Sequence, residues 1–309
     1  MNTQESIDLS ITPIPPPVWK PESVSLDTFE NLTFFDLEAT GLERDSHITQ
    51  IAATRGSEEM SCYIMPKKKI NNKASQVTGI TTKEGRMFHF GKPVPSLSIN
   101  EAINKFMQFC TITAGKVVLV GHNSKVYDCP ILLNAIKNCS STAHFETCVS
   151  GFLDTRKLFQ LTYPGRKSYS QESLVQSLCN QQYQAHDALQ DASSLKQLFE
   201  SCNFDDVSLK ESSFSLTSAL DALAYSNTVA TNFPSLEKLV LEKVLSECMA
   251  RKIAGSGLNL KHLHIAYLRN GTDGICSLFT EGERRVRVTK SKKIIESVCS
   301  YLKKSCPEQ

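Results

Sequence analysis

Residues 34–41, Phe-Phe-Asp-Leu-Glu-Ala-Thr-Gly, constrain this chain more than any other stretch. Read as a strand, they put Phe35 and Leu37 on one face and Phe34, Asp36 and Glu38 on the other. The two carboxylates then stand about 7 Å apart along that face, at ~3.4 Å rise per residue. In an apolar setting they repel, and they need a counter-charge. A divalent cation meets that need, and hard Mg²⁺ or Mn²⁺ favours oxygen ligands. Ala39-Thr40-Gly41 follows as a small-residue turn where a ligand can approach the backbone closely. Taken alone, the motif is also the polar end of a strand running into solvent, so the rest of the chain has to decide.

A chain of 309 residues has room for one large domain or two ordinary ones. Its 40% hydrophobic and 21% charged residues are an ordinary globular composition. The net charge of +2 neither requires nor excludes a polyanionic partner, but its distribution is uneven. After Asp205, 15 Lys and Arg stand against 11 Asp and Glu. The 11 cysteines include no C-x-x-C pair, which points to a reducing cytosol or nucleus and away from disulfides or zinc fingers. No secretory signal is visible, and no apolar run approaches the ~18 residues of a membrane span.

The first 24 residues, with five prolines and little apolar patterning, read as a flexible tail. Strand-like runs at 32–38, 48–54 and 61–65 with short polar connections suggest an antiparallel meander. Pro66-Lys67-Lys68-Lys69 opens a long loop to Gly79, its lysines either a nuclear-import signal, a phosphate contact or a solvated run. Ser98 and Glu101 form a capping box ahead of a helix with one buried stripe. Val117–Val120 reads as a strand buried on both faces, and another is expected at Phe152-Leu153, ending at Asp154-Thr155. Helices are expected from Pro130, over 170–179 and from Ala188. This order predicts an α/β fold, a mixed five-stranded sheet flanked by helices over 25–205. Beyond it, helical stripes at 216–225, 236–253, 260–268 and 294–302 predict an α-helical C-terminal extension, 206–309, with a helix stop at Asn270-Gly271.

Asp191 lies three residues after Ala188 and four before Leu195, at the edge of that helix's buried stripe, where a carboxylate needs a partner or a metal. Asp187 reads as the N-cap of the same helix, and His186 lies just outside it on a loop. Asp128 is either an N-cap or a further acidic ligand.

Together these residues resemble the DEDDh family of 3′→5′ exonucleases, which have a ribonuclease-H-like fold. Residues 35–41 look like its first motif, His122-Asn123 through Asp128 like its second, and His186 to Asp191 like its third, H-x-A-x-x-D. Gln76-Val77-Thr78-Gly79-Ile80 resembles the loop after the third strand. Phe-Phe-Asp-x-Glu-Ala-Thr-Gly is most similar to the TREX-type DNA exonucleases, and the part from Ser150 to the C-terminus is similar to the exonuclease-like C-terminal region of the longest PML isoform, so the chain most resembles the PML-exon-9-like exonucleases related to TREX. In the third motif Leu189 and Gln190 depart from the TREX pattern.

The resemblance implies that Asp36, Glu38, Asp128 and Asp191 hold two Mg²⁺ ions, with Mn²⁺ as substitute, about 3.5–4 Å apart. It makes His186 the general base, work that an imidazole suits near neutrality. Ala39, Thr40, Gly41, Asn123 and Lys125 are the expected substrate contacts, with Arg166 and Lys167 as further phosphate contacts. The expected partner is a DNA 3′ end, single- or double-stranded, with nuclear or cytoplasmic location. A catalytically dead interaction module, an exoribonuclease and a homodimer stay open. In Arg284–Lys293, six of ten residues are Lys or Arg. This segment is expected near the cleft, holding the nucleic-acid backbone, with nuclear import and a solvated strand as alternatives.

Overall fold

The structure, a computed structural model, describes residues 13–182 and 185–305. It divides into two compact units, Ser23–Leu220 and a second formed by the N-terminal residues to Glu22 with Asp221 onward.

The first unit is built on a seven-stranded mixed sheet. Its strands are β1 (Leu32–Ala39), β2 (Ile48–Arg55), β3 (Glu58–Ile64), β7 (Ser96–Leu97), β8 (Val117–Gly121), β9 (Val149–Asp154) and β10 (Ser213–Ser215), in the order β10-β9-β8-β1-β2-β3-β7. The five expected strands form its centre, with β7 and β10 added at the edges. β1, β2 and β3 are antiparallel, while β8 runs parallel to both β1 and β9. The alternation in β1 falls as its sequence predicts. Phe35 packs on Phe106 and Phe152 across one face, and Phe34 meets Phe199 edge-on at 5.4 Å across the other. Helix α2 (Ile99–Cys110) supplies Phe106, and α7 (Ala188–Glu200) supplies Phe199.

Ser98 and Glu101 make both hydrogen bonds of the capping box that starts α2. Helices α3 (Asp128–Asn138) and α4 (Thr142–Cys148) lie with α2, while α5 (Thr155–Thr162) and α6 (Gln171–Leu174), followed by one wider π turn over 175–179, pack with α7.

The long loop expected after Pro66 instead holds α1 (Asn72–Thr78). The Asn71 side chain accepts the Lys73 N–H at its start, and left-handed Gly79 ends it. A second, three-stranded sheet follows, β4 (Ile80–Lys83), β5 (Arg86–His89) and β6 (Lys92–Val94), which the sequence reading does not anticipate. Strands of three or four residues are too short to show a period.

The first unit also runs further than residue 205. Helix α8 (Asp206–Ser212) leads into β10, whose Phe214 stacks on Phe152 at 5.3 Å. A Cβ on Gly151 would lie 2.4 Å from the Phe214 carbonyl oxygen, so only glycine lets β10 pair there. Residues 24–26 run beside it, with the Leu26 N–H bonded to Ser213 Oγ and the Ser215 N–H to the Val24 carbonyl. The units join within α9 (Leu216–Asn232).

The second unit continues with α10 (Glu237–Leu241), α11 (Glu247–Gly255), α12 (Leu260–Thr280) and α13 (Lys292–Ser305) around Leu236, Ile253, Phe279 and Leu302. The helix expected over 236–253 is broken between α10 and α11. The helix stop expected at Asn270-Gly271 is present as a break within α12: both residues leave helical geometry, Gly271 at φ 54°, between two helical stretches.

Two sequence expectations are corrected in this unit. Of the supposed flexible tail, residues 13–22 are ordered against it and residues 1–12 lie outside the described part. Ile14 packs on the core, and the Val18 N–H bonds the Ser256 carbonyl. The basic segment is not a uniform phosphate surface either. Arg287 is buried, donating to Glu281 at 2.7 Å and to the carbonyls of Pro15, Pro16 and Ser256. Arg285 lies over the Trp19 ring, 5.0 Å from its centroid. A guanidinium's five donors suit this gathering of carbonyl oxygens, and charge counting along a sequence cannot show it. No described helix is long and apolar enough to cross a membrane, and the described cysteines are free.

Candidate active site

A cavity of about 740 Å³ opens in the first unit, over the ends of β1 and β8 and the start of α7. Its wall includes Asp36, Glu38, Asp128, His186 and Asp191, so the folding brings together the five residues that the three motifs single out.

Each arrives by a local device. β1 places Asp36 and Glu38 on the face that α7 covers. A bulge follows directly, since Glu38 pairs with Gln50 but Ala39 with Ile48. Asp187 caps α7 by accepting the Leu189 and Gln190 N–H groups, which turns Asp191 inward one turn later. Carboxylate oxygens of Asp36, Glu38 and Asp191 all lie within 4.8 Å of one another. Asp128 does not join that group. It is also not the N-cap, because Tyr127 holds that position and Asp128 is the first helical residue. Asp128 is 3% exposed, and its Oδ1 is buried without a hydrogen-bond partner.

The electrostatics follow from this crowding. Burial, then the charges of Asp128, Asp191 and Glu38, raises the Asp36 carboxyl well above the usual range. Burial first, and Asp191 next, pushes Glu38 up to about 8. Burial pushes Asp128 up to about 7, opposed by its main-chain hydrogen bonding. Acidic oxygens drawn together with one left orphaned are a donor set for a hard divalent cation. The residues fit such an ion, and its identity is not fixed by them.

His186 is exposed at the cavity's edge, with its backbone in the left-handed region at φ 72°. Its main-chain N–H donates to Asp191 Oδ2 at 2.7 Å.

The expected substrate contacts divide. Ala39, Gly41 and Asn123 line the cavity, as does Lys167. Thr40 does not, because its hydroxyl accepts the His47 N–H and pins the turn. Lys125 points elsewhere, its ammonium 4.8 Å from the Phe214 ring centroid and 3.3 Å from Ser23 Oγ. Arg166 hydrogen-bonds the Ser177 hydroxyl away from the wall.

Other wall and supporting residues were not anticipated. Lys73 and Arg156 add cations to the rim, and Tyr127 donates its hydroxyl to the Gly41 carbonyl at 3.2 Å. The Asp154 carboxylate accepts the N–H groups of Asn123, Lys125 and Arg156, fixing the second motif's loop. Gln50, 1% exposed, accepts the Ala188 N–H and donates to Asp187 Oδ2 and Ser61 Oγ. It ties the third motif to the strand opposite Glu38. A glutamine inside the largely apolar run Ile48-Thr49-Gln50-Ile51-Ala52-Ala53 was the available signal.

The family model described as Exonuclease matches residues 33–199, and that of PML, C-terminal domain, matches residues 232–305. Among solved structures, E. coli Exonuclease I in complex with a dT13 oligonucleotide is 17% identical, at a TM-score of 0.45 over 54% of this chain and 40% of that one. Exonuclease I from Methylocaldum szegediense is 19% identical, at 0.44 over 55% and 40%. Exonuclease X in complex with 5′ overhanging duplex DNA is 19% identical, at 0.40 over 58% and 98%. The chain thus spans about 40% of the Exonuclease I chains it matches. No match is found among curated proteins.

Proposed function

The chain belongs to the exonuclease family whose model spans residues 33–199, and from that premise we propose that it is a metal-dependent 3′→5′ exonuclease that hydrolyses DNA and releases nucleoside monophosphates. The observation that carries this reading is the orphaned Asp128 Oδ1 on the same cavity wall as the Asp36–Glu38–Asp191 cluster. A descendant that had lost catalysis would have no reason to keep buried carboxylates in mutual repulsion. The DNA assignment rests on the first motif's resemblance to the TREX-type enzymes.

Asp36, Glu38, Asp128 and Asp191 would hold two Mg²⁺ or Mn²⁺ ions, which when bound supply an activated water and stabilise the leaving 3′ oxygen. His186 takes the proton of the attacking water at a ring nitrogen. Its main-chain bond to Asp191 keeps that ring on the cavity's edge. Gln50 and Asp187 hold the helix start from which the loop hangs. Lys73, Arg156 and Lys167 on the rim offset the negative floor for an incoming phosphodiester.

The test uses 5′-labelled single-stranded and duplex DNA and RNA, incubated with the protein in Mg²⁺, Mn²⁺ or EDTA. DNA should shorten stepwise from its 3′ end, mononucleotides should accumulate, and EDTA should stop the reaction. Stable DNA in both metals would overturn the reading, and faster loss of RNA would transfer it to ribose.

A further inference from the structure

The small sheet β4–β5–β6 seats Ile80 and Met87 from one face in the core, with Thr82 and Lys92 exposed at that face's edges, and turns its other face to solvent. Its register puts Ile80 opposite His89, and Thr82 and Val94 opposite Met87, with Ile80 and Met87 fully buried. The alternate residues therefore share the outer face, where Lys83 is paired directly with Arg86, and Thr81 and Pro93 flank Phe88. Lys83, Arg86, Thr81 and Pro93 are exposed, and Phe88 is half-buried among them.

Two like charges directly opposite one another weaken a strand pair, so this face carries a local cost. Neither cation has an ion-pair partner among the described residues. Cations beside an aromatic ring on an open face match single-stranded nucleic acid, which asks for backbone neutralisation and a stacking platform together. The face is also continuous with the cavity. Helix α1 lines the cavity through Lys73, Ala74, Val77 and Thr78, and ends at Gly79, where β4 begins. Phe90, which follows β5, donates its N–H to the Gly79 carbonyl and lays its ring against that glycine. A Cβ on Gly79 would lie 2.6 Å from the ring, so the glycine allows this close seat. Phe90 remains 58% exposed and Val77 42% exposed, leaving an apolar path between cavity and sheet.

We infer that the outer face of β4–β5–β6 is a second nucleic-acid contact, in which Lys83 and Arg86 hold phosphates and Phe88 stacks on a base of the same strand whose end occupies the cavity. The inference deepens the nuclease reading and rests on it. Its consequence is length dependence, because an oligonucleotide that fills only the cavity never reaches the sheet.

The experiment compares the full chain with Lys83→Gln/Arg86→Gln and, separately, Phe88→Ser. Affinities for a trinucleotide and a twenty-residue single strand are measured in Ca²⁺ across a salt series, with melting curves as the check of folding. Loss of two phosphate contacts should lower the salt slope for the long strand by about 1.4. Between 50 and 200 mM salt the unaltered protein should then lose about sevenfold more affinity than the double variant. Trinucleotide binding and its hydrolysis in Mg²⁺ should stay unchanged. A long-strand slope equal to that of the unaltered protein would overturn the inference while leaving the nuclease reading intact. Failure of the unaltered protein to bind or cleave either oligonucleotide would overturn both. The double variant keeps the interpretation clear if Phe88→Ser does not fold, since Lys83 and Arg86 carry no core contact.

Discussion

The main-chain N–H of His186 donates to Asp191 Oδ2 at 2.7 Å. The proposed base and a proposed metal ligand are therefore one mechanical unit, with the histidine's backbone held at φ 72° by the carboxylate five residues on. Any change at Asp191 moves the base as well as the acidic cluster.

For this reason His186 should be probed by its side chain alone. His186→Asn keeps a residue type that tolerates the left-handed region. It should lower turnover on the order of 10²–10⁴-fold, the usual worth of general acid–base catalysis, with the melting temperature unchanged. Steady-state kinetics at saturating Mg²⁺ checks this, and unaltered turnover would remove His186 from proton transfer.

Asp36→Asn should abolish nuclease activity. The same substitution removes a buried charge from a repelling cluster, so the protein in EDTA should melt higher than the unaltered chain. Paired melts in EDTA and Mg²⁺ should show the Mg²⁺ stabilisation of the unaltered protein shrinking in the variant.

The same carboxyls set a pH dependence. Glu38 is raised from an ordinary 4.5 to about 8 and Asp128 from 3.8 to about 7. The folded state thus binds protons that the unfolded chain releases between those values. Stability is full below pH ~4 and is lost as pH rises through 7 and 8. A loss of only ~2 kcal/mol would lower the melting temperature by about 4–8 °C. Calorimetry in EDTA from pH 5 to 9 should show the fall, and saturating Mg²⁺ should reduce it.

Arg287→Gln should destabilise the second unit by about 3 kcal/mol, since breaking a buried charge network leaves its partners unpaired. Glu281 is 44% exposed and can rehydrate, which keeps the loss below the upper end of that class. Arg284→Gln, on an exposed side chain, should leave urea denaturation unchanged within about 0.5 kcal/mol.

Gln50→Leu should keep the sheet but release the start of α7, because leucine fills the space without receiving the Ala188 N–H. Turnover should fall more than KM rises, as expected when the disturbed groups act in the transition state. Equal changes in both would make Gln50 a substrate contact instead.

The sequence by itself determined whatever depends on near neighbours. The alternation of 34–38 set which face of β1 carries Asp36 and Glu38. Ser98 with Glu101 set the start of α2, and Asp187 the start of α7, because caps and periods are written within a few residues. The three motifs marked Asp36, Glu38, Asp128, His186 and Asp191, which share the cavity wall. Tertiary structure alone decided what lies beside what across long separations. It drew Asp191 to within 4.8 Å of Asp36 and Glu38, left Asp128 outside that group with an orphaned oxygen, and sent Lys125 toward Phe214. It buried Arg287 under the carbonyls of Pro15 and Pro16, turning an apparent phosphate contact into a structural pin. Side-chain charge is fixed by residue type, but its burial and partners are set by packing between segments hundreds of residues apart, and no local pattern records that.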